Sequence, residues 1–296
     1  MIFSKQLVII RTETEDLAEY NPPERTFKMK QRVISAFLGI IVLIIVLLGN
    51  QTVFDVAVTL IATVGIYEVI SAVGMKQHKI LMLISLLMPL SLMSASYFFS
   101  DYLFPVLFVF LILFLLIMLF NHKRYTFSKI AMAFTASVMV SVPFLFVSMT
   151  RRLGNGNLDV LVILIGCWIT DSCAYFTGYF LGKHKLAPEI SPKKTIEGSI
   201  GGVLGVIGIL VAYAYIVGNI MNITANLIPA AIIGLVAGII SQFGDLCASI
   251  IKREHGIKDF GKIMPGHGGV MDRFDSLIFV APAVYYILTY FPIFVK

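Results

Sequence analysis

Long runs of apolar residues dominate the chain. A helix that crosses a membrane needs about 20 mainly apolar residues, because the hydrocarbon core is roughly 30 Å thick. We interpret nine windows that meet or nearly meet this length as membrane-spanning helices. They cover residues 33–48, 53–73, 80–99, 102–120, 129–149, 158–181, 199–217, 227–243 and 276–294. The pattern predicts an all-α polytopic membrane protein.

The composition supports this fold class. Of 296 residues, 58% are hydrophobic and 14% are charged, and the mean hydropathy is +0.90. A soluble domain carries roughly 25% charged residues, so the chain has too little polar surface for a water-exposed globule. The three cysteines show no paired spacing. We therefore infer neither a disulfide nor a zinc site.

The basic residues are biased to one side of the predicted bundle. With a cytoplasmic N-terminus, 20 of the 23 Lys and Arg residues fall in cytoplasmic segments, as the positive-inside rule expects. The bias predicts nine spans, an outside C-terminus and a place in the cell membrane (inner or cytoplasmic membrane). The net charge of +6 then reflects topology, and we expect no nucleic-acid partner.

The chain divides into three predicted regions. Residues 1–28 form a polar acidic tail, unless translation starts at Met29 and the tail is a mis-assigned start. Residues 29–157 hold helices 1–5. Residues 158–296 form a C-terminal transmembrane region, the candidate for any catalytic part, with helices 6–9 and cytoplasmic loops at 182–198 and 244–275.

Two carboxylates lie inside predicted spans of the N-terminal half. Such a group costs about 2.5 kcal/mol or more, which makes it a candidate functional residue. We expect Asp55, near the outer end of its helix, to contact water at the membrane interface. For Glu68, near the inner end, two interpretations stay open: a partner in helix packing or a site residue.

A third carboxylate, Asp171, belongs to a stripe along one helix. At helical spacing it shares a face with Trp168, Tyr175, Gly178 and Gly182. The glycines would allow a neighbouring helix to come close, as ordinary packing also requires. Packing and a functional site are therefore both open for this stripe.

The stretch 182–198 contains a local conflict. Ser191 and Pro192 are a favourable N-cap and first helical residue, which predicts a helix start there with Lys193 and Lys194 in the first turn. Lysines are poor partners for the helix dipole at that end, but they suit a bound anion. We predict a phosphate site, although the positive-inside rule alone could also explain the lysines.

The densest group of polar residues spans 241–276. Asp245, Ser249 and Lys252 share one face of a helix that leaves the membrane. Asp272 and Asp275 are predicted at the start of the last helix, where negative charge is favourable.

A loop of small residues lies between these two groups. Gly266, Gly268 and Gly269 could line a phosphate with their backbone N–H groups, and His267 is the only side-chain donor among them. Five basic residues flank the loop: Lys252, Arg253, Lys258, Lys262 and Arg273.

These residue types suit magnesium. Hard carboxylates grouped with Lys and Arg, without a Cys or His cluster, predict Mg²⁺ held between the protein and substrate phosphates. The site would lie at the cytoplasmic membrane surface, which a soluble phosphate compound and a lipid can both reach. The alternative is that the acids are ordinary ion-pair partners of Lys252 and Arg273.

The motifs resemble a known family, the phosphatidate cytidylyltransferases, also called CDP-diacylglycerol synthases. The resemblance covers about residues 166–276 and rests on a long, gapped run. That run comprises Ser249, Lys252-Arg253, Lys258-Asp259, Pro265 to Gly269, Asp272-Arg273 and Asp275, together with Ser191 to Gly198, the segment around Asp171, and Gly244-Asp245.

The resemblance implies that CTP and phosphatidate give CDP-diacylglycerol and pyrophosphate, with Mg²⁺ as the cofactor. As a hypothesis, Asp245 and Asp272 are the principal metal ligands, and Asp171 and Asp275 bind the ion directly or through its ligands. Phosphates would be held by Lys193, Lys194, Lys252, Arg253 and Arg273. Ser249 and Lys258 are further substrate-binding candidates, and His267 with Gly266, Gly268 and Gly269 would shape the triphosphate site.

Two other functions share part of this pattern. A CTP-dependent lipid-alcohol kinase of the dolichol kinase type would place a nucleotide and a lipid at the same membrane face. A transporter would place ionisable residues near the bilayer midplane in two related halves, whereas here the charge lies at one face. A homodimer is a further possibility for the assembly.

Overall fold

The computed structural model describes residues 22–98, 103–266 and 268–295. This part of the chain folds into nine α-helices, one 3₁₀ turn and two small antiparallel sheets. The helices are α1 (Pro22–Leu48), α2 (Gln51–Ala72), α3 (Lys79–Phe98), α4 (Leu103–Phe120), α5 (Phe127–Arg151), α6 (Asn157–Leu181), α7 (Ile196–Met221), α8 (Leu227–Glu254) and α9 (Leu277–Tyr290). The strands are β1 (Lys185–Ala187), β2 (Ser191–Thr195), β3 (Thr224–Ala225) and β4 (Phe294–Val295).

The predicted class of helical, multi-pass membrane protein is confirmed. Among the described residues, seven helices, α2 to α8, are long and apolar enough to cross a membrane. Val33–Leu48 and Leu277–Tyr290 are shorter apolar segments. The 14 residues of α9 extend only about 21 Å at 1.5 Å per residue, less than a full hydrocarbon core. The count of nine spans and the orientation stay predictions.

Helices α6, α7 and α8 pack closely because glycines lie where they cross. A Cβ on Gly202 of α7 would lie 2.9 Å from the carbonyl oxygen of Thr170 in α6. A Cβ on Gly234 of α8 would lie 2.7 Å from Ile207 Cα in α7. Small residues of this kind let helix backbones approach in a membrane.

A partly buried ion pair joins α2 to Arg152, the C-cap residue of α5. Asp55 is only 3% exposed, and its Oδ2 lies 2.9 Å from the guanidinium of Arg152. Tyr97 and Ser148 donate hydroxyl hydrogen bonds to the same carboxylate, and Gln51 donates from its amide. The expectation that Asp55 contacts water is therefore wrong, since Arg152 and three neutral donors replace the water.

The segment before α7 is a strand, not a helical turn. Ser191–Thr195 pairs with Lys185–Ala187, and α7 begins at Ile196. Thr195 is the N-cap, because its hydroxyl accepts a hydrogen bond from the backbone N–H of Gly198 at 3.1 Å. The predicted N-cap at Ser191 is wrong by four residues, since the strand pairing and the Thr195 cap outweigh the local Ser-Pro signal.

The two acidic residues near α9 precede that helix. Asp272 lies in a 3₁₀ turn, Met271–Arg273, and Asp275 lies in the turn that follows. Both are buried. The prediction that they lie at the start of the last helix is therefore wrong, because α9 begins only at Leu277.

Breaking the ion pair of α2 and α5 should destabilise the protein. Arg152 keeps 24% of its side chain exposed, so removing Asp55 leaves its charge only partly solvated and costs about 1–3 kcal/mol. We therefore expect Asp55→Ala to lower the midpoint of thermal unfolding in detergent markedly. Lys123→Ala, which changes an exposed residue, is the control and should leave the midpoint unchanged. Equal midpoints for the two variants would contradict a stabilising role for the pair.

Candidate active site

A pocket of about 550 Å³ opens between α6, β2 and the facing ends of α7 and α8. Asp171, Tyr175, Gly178 and Gly182 of α6 line one side of it. The predicted stripe thus faces a pocket along most of its length. Its fifth member, Trp168, instead donates its indole N–H to the carbonyl oxygen of Arg273 at 3.4 Å.

Lysines and a carboxylate line the opposite side. Lys193 and Lys194 come from β2, and Asp245 comes from α8. Lys194 forms an ion pair with Asp245, while the side chain of Lys193 is exposed. The two lysines lie beside the N-terminus of α7, where Gly198 and Ser199 also line the pocket. The positive end of a helix dipole favours anions.

Next to this pocket, one lysine lies between two carboxylates. The Nζ of Lys252 is 2.9 Å from Asp272 Oδ1 and 3.6 Å from Asp275 Oδ2. All three residues are buried. Buried charges are tolerated when they are paired and hydrogen-bonded, so each of these groups requires the others.

The second oxygen of Asp272 holds a loop. Asp272 Oδ2 accepts backbone N–H hydrogen bonds from Phe260 at 2.8 Å and from Gly269 at 3.0 Å. The N–H of Gly269 therefore points to a protein carboxylate. The loop between Phe260 and Gly269 is closed at its base by this one side chain.

Ser276 joins the two groups of acidic residues. Its hydroxyl donates to Asp171 Oδ2 at 3.1 Å, and its backbone N–H donates to Asp275 Oδ1 at 2.9 Å. On the other side, Gly244 packs so closely that a Cβ there would lie 2.8 Å from the carbonyl oxygen of Asp275. This contact brings α8, and with it Asp245, against the Asp275 turn.

The neighbouring carboxylates change the pKa of Asp275. Burial, the charge of Asp245 and, to a smaller extent, the charge of Asp171 raise the pKa of Asp275 to about 7, against the lowering effect of Lys252. A cation in this region would favour the ionised carboxylate, since a nearby positive charge stabilises the charged form.

The donor set fits Mg²⁺ only in combination with substrate. Among the described residues, no three acidic, His or Cys side chains are close enough to hold a metal by themselves. Mg²⁺ is commonly bound through one or two carboxylates and substrate phosphates. Asp171, Asp245, Asp272 and Asp275 supply hard oxygen ligands of that kind beside a pocket that contains lysines.

Comparison with known proteins identifies the family. Residues 30–291 match a family model described as the cytidylyltransferase family. The chain belongs to the cytidylyltransferase family. A phosphatidate cytidylyltransferase of Bacillus subtilis (strain 168) is 33% identical over 89% of this chain and 98% of its own length. Those of Staphylococcus haemolyticus (strain JCSC1435) and Staphylococcus aureus (strain COL) are 31% and 33% identical, each over 86% of this chain and 96% of its own length.

The resemblance noted in the motifs is thereby confirmed. Cytidylyltransferases are nucleotidyltransferases, so the prediction of an enzyme of that class is confirmed as well. The family match extends well beyond residues 166–276, into the N-terminal half. The roles of individual site residues stay predictions.

Several predicted site residues of this cytidylyltransferase lie away from the pocket lining. Arg253 donates to the carbonyl oxygens of Ile190 and Ile257 at 3.4 and 3.3 Å. Lys258 and Arg273 are exposed. Ser249 is buried on α8, one helical turn before Lys252.

The described glycines of the small-residue loop, Gly266, Gly268 and Gly269, do not line the pocket. Gly268 accepts a hydrogen bond from the N–H of Met264 at 2.9 Å and has a φ of +85°, a backbone conformation that glycine adopts most readily. Gly266 has a φ of +78°. His267 lies outside the described residues.

Two residues gain importance only from the structure, and a third, Glu68, gains a partner there. Ser276 bridges Asp171 and Asp275, and Thr195 caps α7 beside the lysines. Nothing in the sequence distinguishes these hydroxyls from other Ser and Thr residues. Glu68 accepts a hydrogen bond from the N–H of Met271 at 2.9 Å, and its signal was present in the sequence as a carboxylate inside a span.

The close contact of α6 with α7 beside the pocket leads to a stability prediction. A Cβ at Gly198 would lie 2.7 Å from the carbonyl oxygen of Ala174 and 2.8 Å from Thr195 Oγ1. Forcing an extra methyl into a packed contact costs about 1–3 kcal/mol. We expect Gly198→Ala to lower both the thermal midpoint in detergent and the enzymatic activity.

Gly208→Ala, in the same helix, is the matched control, because nothing lies within 4 Å of its Cβ position. It should keep the wild-type midpoint or exceed it, since alanine favours helix more than glycine does. A Gly198→Ala protein as stable and active as this control would show that the close approach is dispensable.

Proposed function

We propose that the protein transfers the cytidylyl group of CTP to phosphatidate, giving CDP-diacylglycerol and pyrophosphate. The observation that carries the proposal is the convergence of Lys193, Lys194, Asp171 and Asp245 on one pocket, in a chain that aligns with nearly the whole length of relatives named phosphatidate cytidylyltransferase. A triphosphate and a phosphate monoester are both polyanions, and this pocket offers cations and metal-binding oxygens together.

The proposed reaction takes place at the cytoplasmic face of the cell membrane. The loops that carry the site belong to the side with most of the Lys and Arg residues. Tyr175 and Tyr179 line the same pocket, are 66% and 73% exposed, and stack with ring centroids 6.4 Å apart. Aromatic residues of this kind are favoured at membrane interfaces, which supports access for a lipid substrate beside the soluble nucleotide.

The attacking group needs no protein base. The second pKa of a phosphate monoester is near 6, so the phosphatidate oxygen is already ionised at pH 7. What opposes the reaction is repulsion between two polyanions and the need to align the attacking oxygen with the α-phosphorus of CTP. Positioned cations supply both the charge compensation and the alignment.

In this proposal Lys193 and Lys194 bind phosphates of the nucleotide. Lys252 compensates Asp272 and Asp275 in the free enzyme and contributes positive charge next to the reacting groups. Asp245 and Asp272 would be the principal ligands for Mg²⁺, with Asp171 and Asp275 beside them. When bound, Mg²⁺ would neutralise charge on the phosphates and on the leaving pyrophosphate.

The position of label in the product tests the reaction. Purified protein in detergent is mixed with phosphatidate, Mg²⁺ and CTP labelled at either the α- or the γ-phosphorus, and the lipids are extracted. We expect α-label, and no γ-label, in the lipid. Transfer of γ-label to an added lipid alcohol would indicate a kinase instead, and absence of both labels from lipid would contradict group transfer and direct attention to transport.

The same assay tests the role of Asp272. Asp272→Asn removes the negative charge that faces Lys252 and the proposed metal, so we expect turnover to fall roughly 100-fold or more. Gel filtration and the thermal midpoint should show that the variant still folds. Glu254→Gln, which changes an exposed residue at the end of α8, should retain wild-type turnover. Near-normal turnover of Asp272→Asn would remove this residue from the metal site.

A further inference from the structure

Glu68 is a buried carboxylate that the proposed reaction does not use. It lies in α2 and is 2% exposed. One oxygen, Oε2, accepts the hydrogen bond from Met271 N–H, and the other, Oε1, has no hydrogen-bond partner among the described residues. A carboxylate at such a position is costly to bury. Its contacts with the segment that precedes Asp272 indicate a specific role.

Two glycines of the site loop lie directly against this carboxyl group. A Cβ at Gly269 would lie 2.6 Å from Glu68 Oε2, and a Cβ at Gly261 would overlap Glu68 Oε1. Real Cβ atoms do not come so close to an oxygen. At these two positions, therefore, the absence of a side chain makes room for Glu68.

The loop is thus held from two sides. Asp272 closes its base through the N–H groups of Phe260 and Gly269. Glu68 holds Met271, the residue immediately before Asp272. Ser35 of α1 adds a third contact, since its hydroxyl donates to the carbonyl oxygen of Pro265 at 3.1 Å. The two contacts from Glu68 and Ser35 come from the N-terminal half of the chain.

We propose that Glu68 is a positioning residue: by holding Met271 and packing against Gly261 and Gly269, it keeps the carboxylate of Asp272 oriented toward Lys252. The inference rests on the proposed function, because it assigns Asp272 a part in that reaction. Through this contact, helix α2 of the N-terminal half would influence the position of a carboxylate in the C-terminal region. Residues that orient a metal ligand from behind typically contribute 10- to 100-fold in affinity or activity.

Substitutions at Glu68 itself give the first test. In Glu68→Ala the hydrogen bond to Met271 is lost, and we expect kcat to fall roughly 10- to 100-fold, with a higher Mg²⁺ concentration needed for half-maximal rate and little change in KM for phosphatidate. Glu68→Gln keeps an oxygen that can accept from Met271 N–H, so it should recover most of the lost kcat.

A double-mutant cycle tests the contact with Gly261. Gly261→Ala should lower kcat strongly in the wild-type background, because its Cβ overlaps the Glu68 carboxyl group. In the Glu68→Ala background the overlap is gone, so the double variant should be no worse than Glu68→Ala alone. Such non-additivity is the signature of residues in direct contact. Gly208→Ala is the control and should have the same small effect in both backgrounds.

Hydrogen exchange of the backbone amides provides a readout independent of activity. In detergent, Glu68→Ala should speed exchange in the peptide that covers 260–271 at least tenfold, while Gly208→Ala leaves it unchanged. Unchanged exchange in Glu68→Ala, or equal harm from Gly261→Ala in both backgrounds, would overturn the proposal. If wild-type protein transfers no α-label but the exchange result holds, the proposed function fails while Glu68 still fixes the loop.

Discussion

The site depends on the buried interaction of Lys252 with Asp272 and Asp275. One positive charge compensates two negative charges, and each group would be costly to bury without the others. Lys252 comes from the end of α8, whereas the two acids come from the 3₁₀ turn before α9 and the residues that follow it. The pairing therefore determines how the last two helices meet, and the loop between Phe260 and Gly269 closes on the same carboxylate.

Close helix packing supplies the other half of the site. Because glycines of α7 and α8 let the backbones of α6, α7 and α8 approach, Asp171 and Asp245 lie on facing walls of one pocket, with the β2 lysines at its edge. Larger side chains at those crossings would separate the walls. The catalytic region is thus assembled by small residues at the helix crossings and by charges where the helices end.

Much of this could be read from the sequence, and the failures have physical reasons. Hydropathy identified the helices, and the acidic and basic motifs identified groups that do lie together. The Ser191-Pro192 signal misled, since a cap four residues later and a partner strand outweighed it. Asp55 was misjudged because its partner Arg152 lies 97 residues away. The Asp171–Ser276 contact spans 105 residues, and local patterns carry no information at that distance.

The contact between Glu68 and Gly261 also makes the order of amino-acid replacements matter. While the glutamate is present, any side chain at position 261 overlaps its carboxyl group. Once position 68 is shortened, that obstacle disappears, and a larger residue at 261 then prevents the glutamate from returning. Two positions separated by about two thirds of the chain can therefore change readily in one order of replacements and hardly at all in the reverse order.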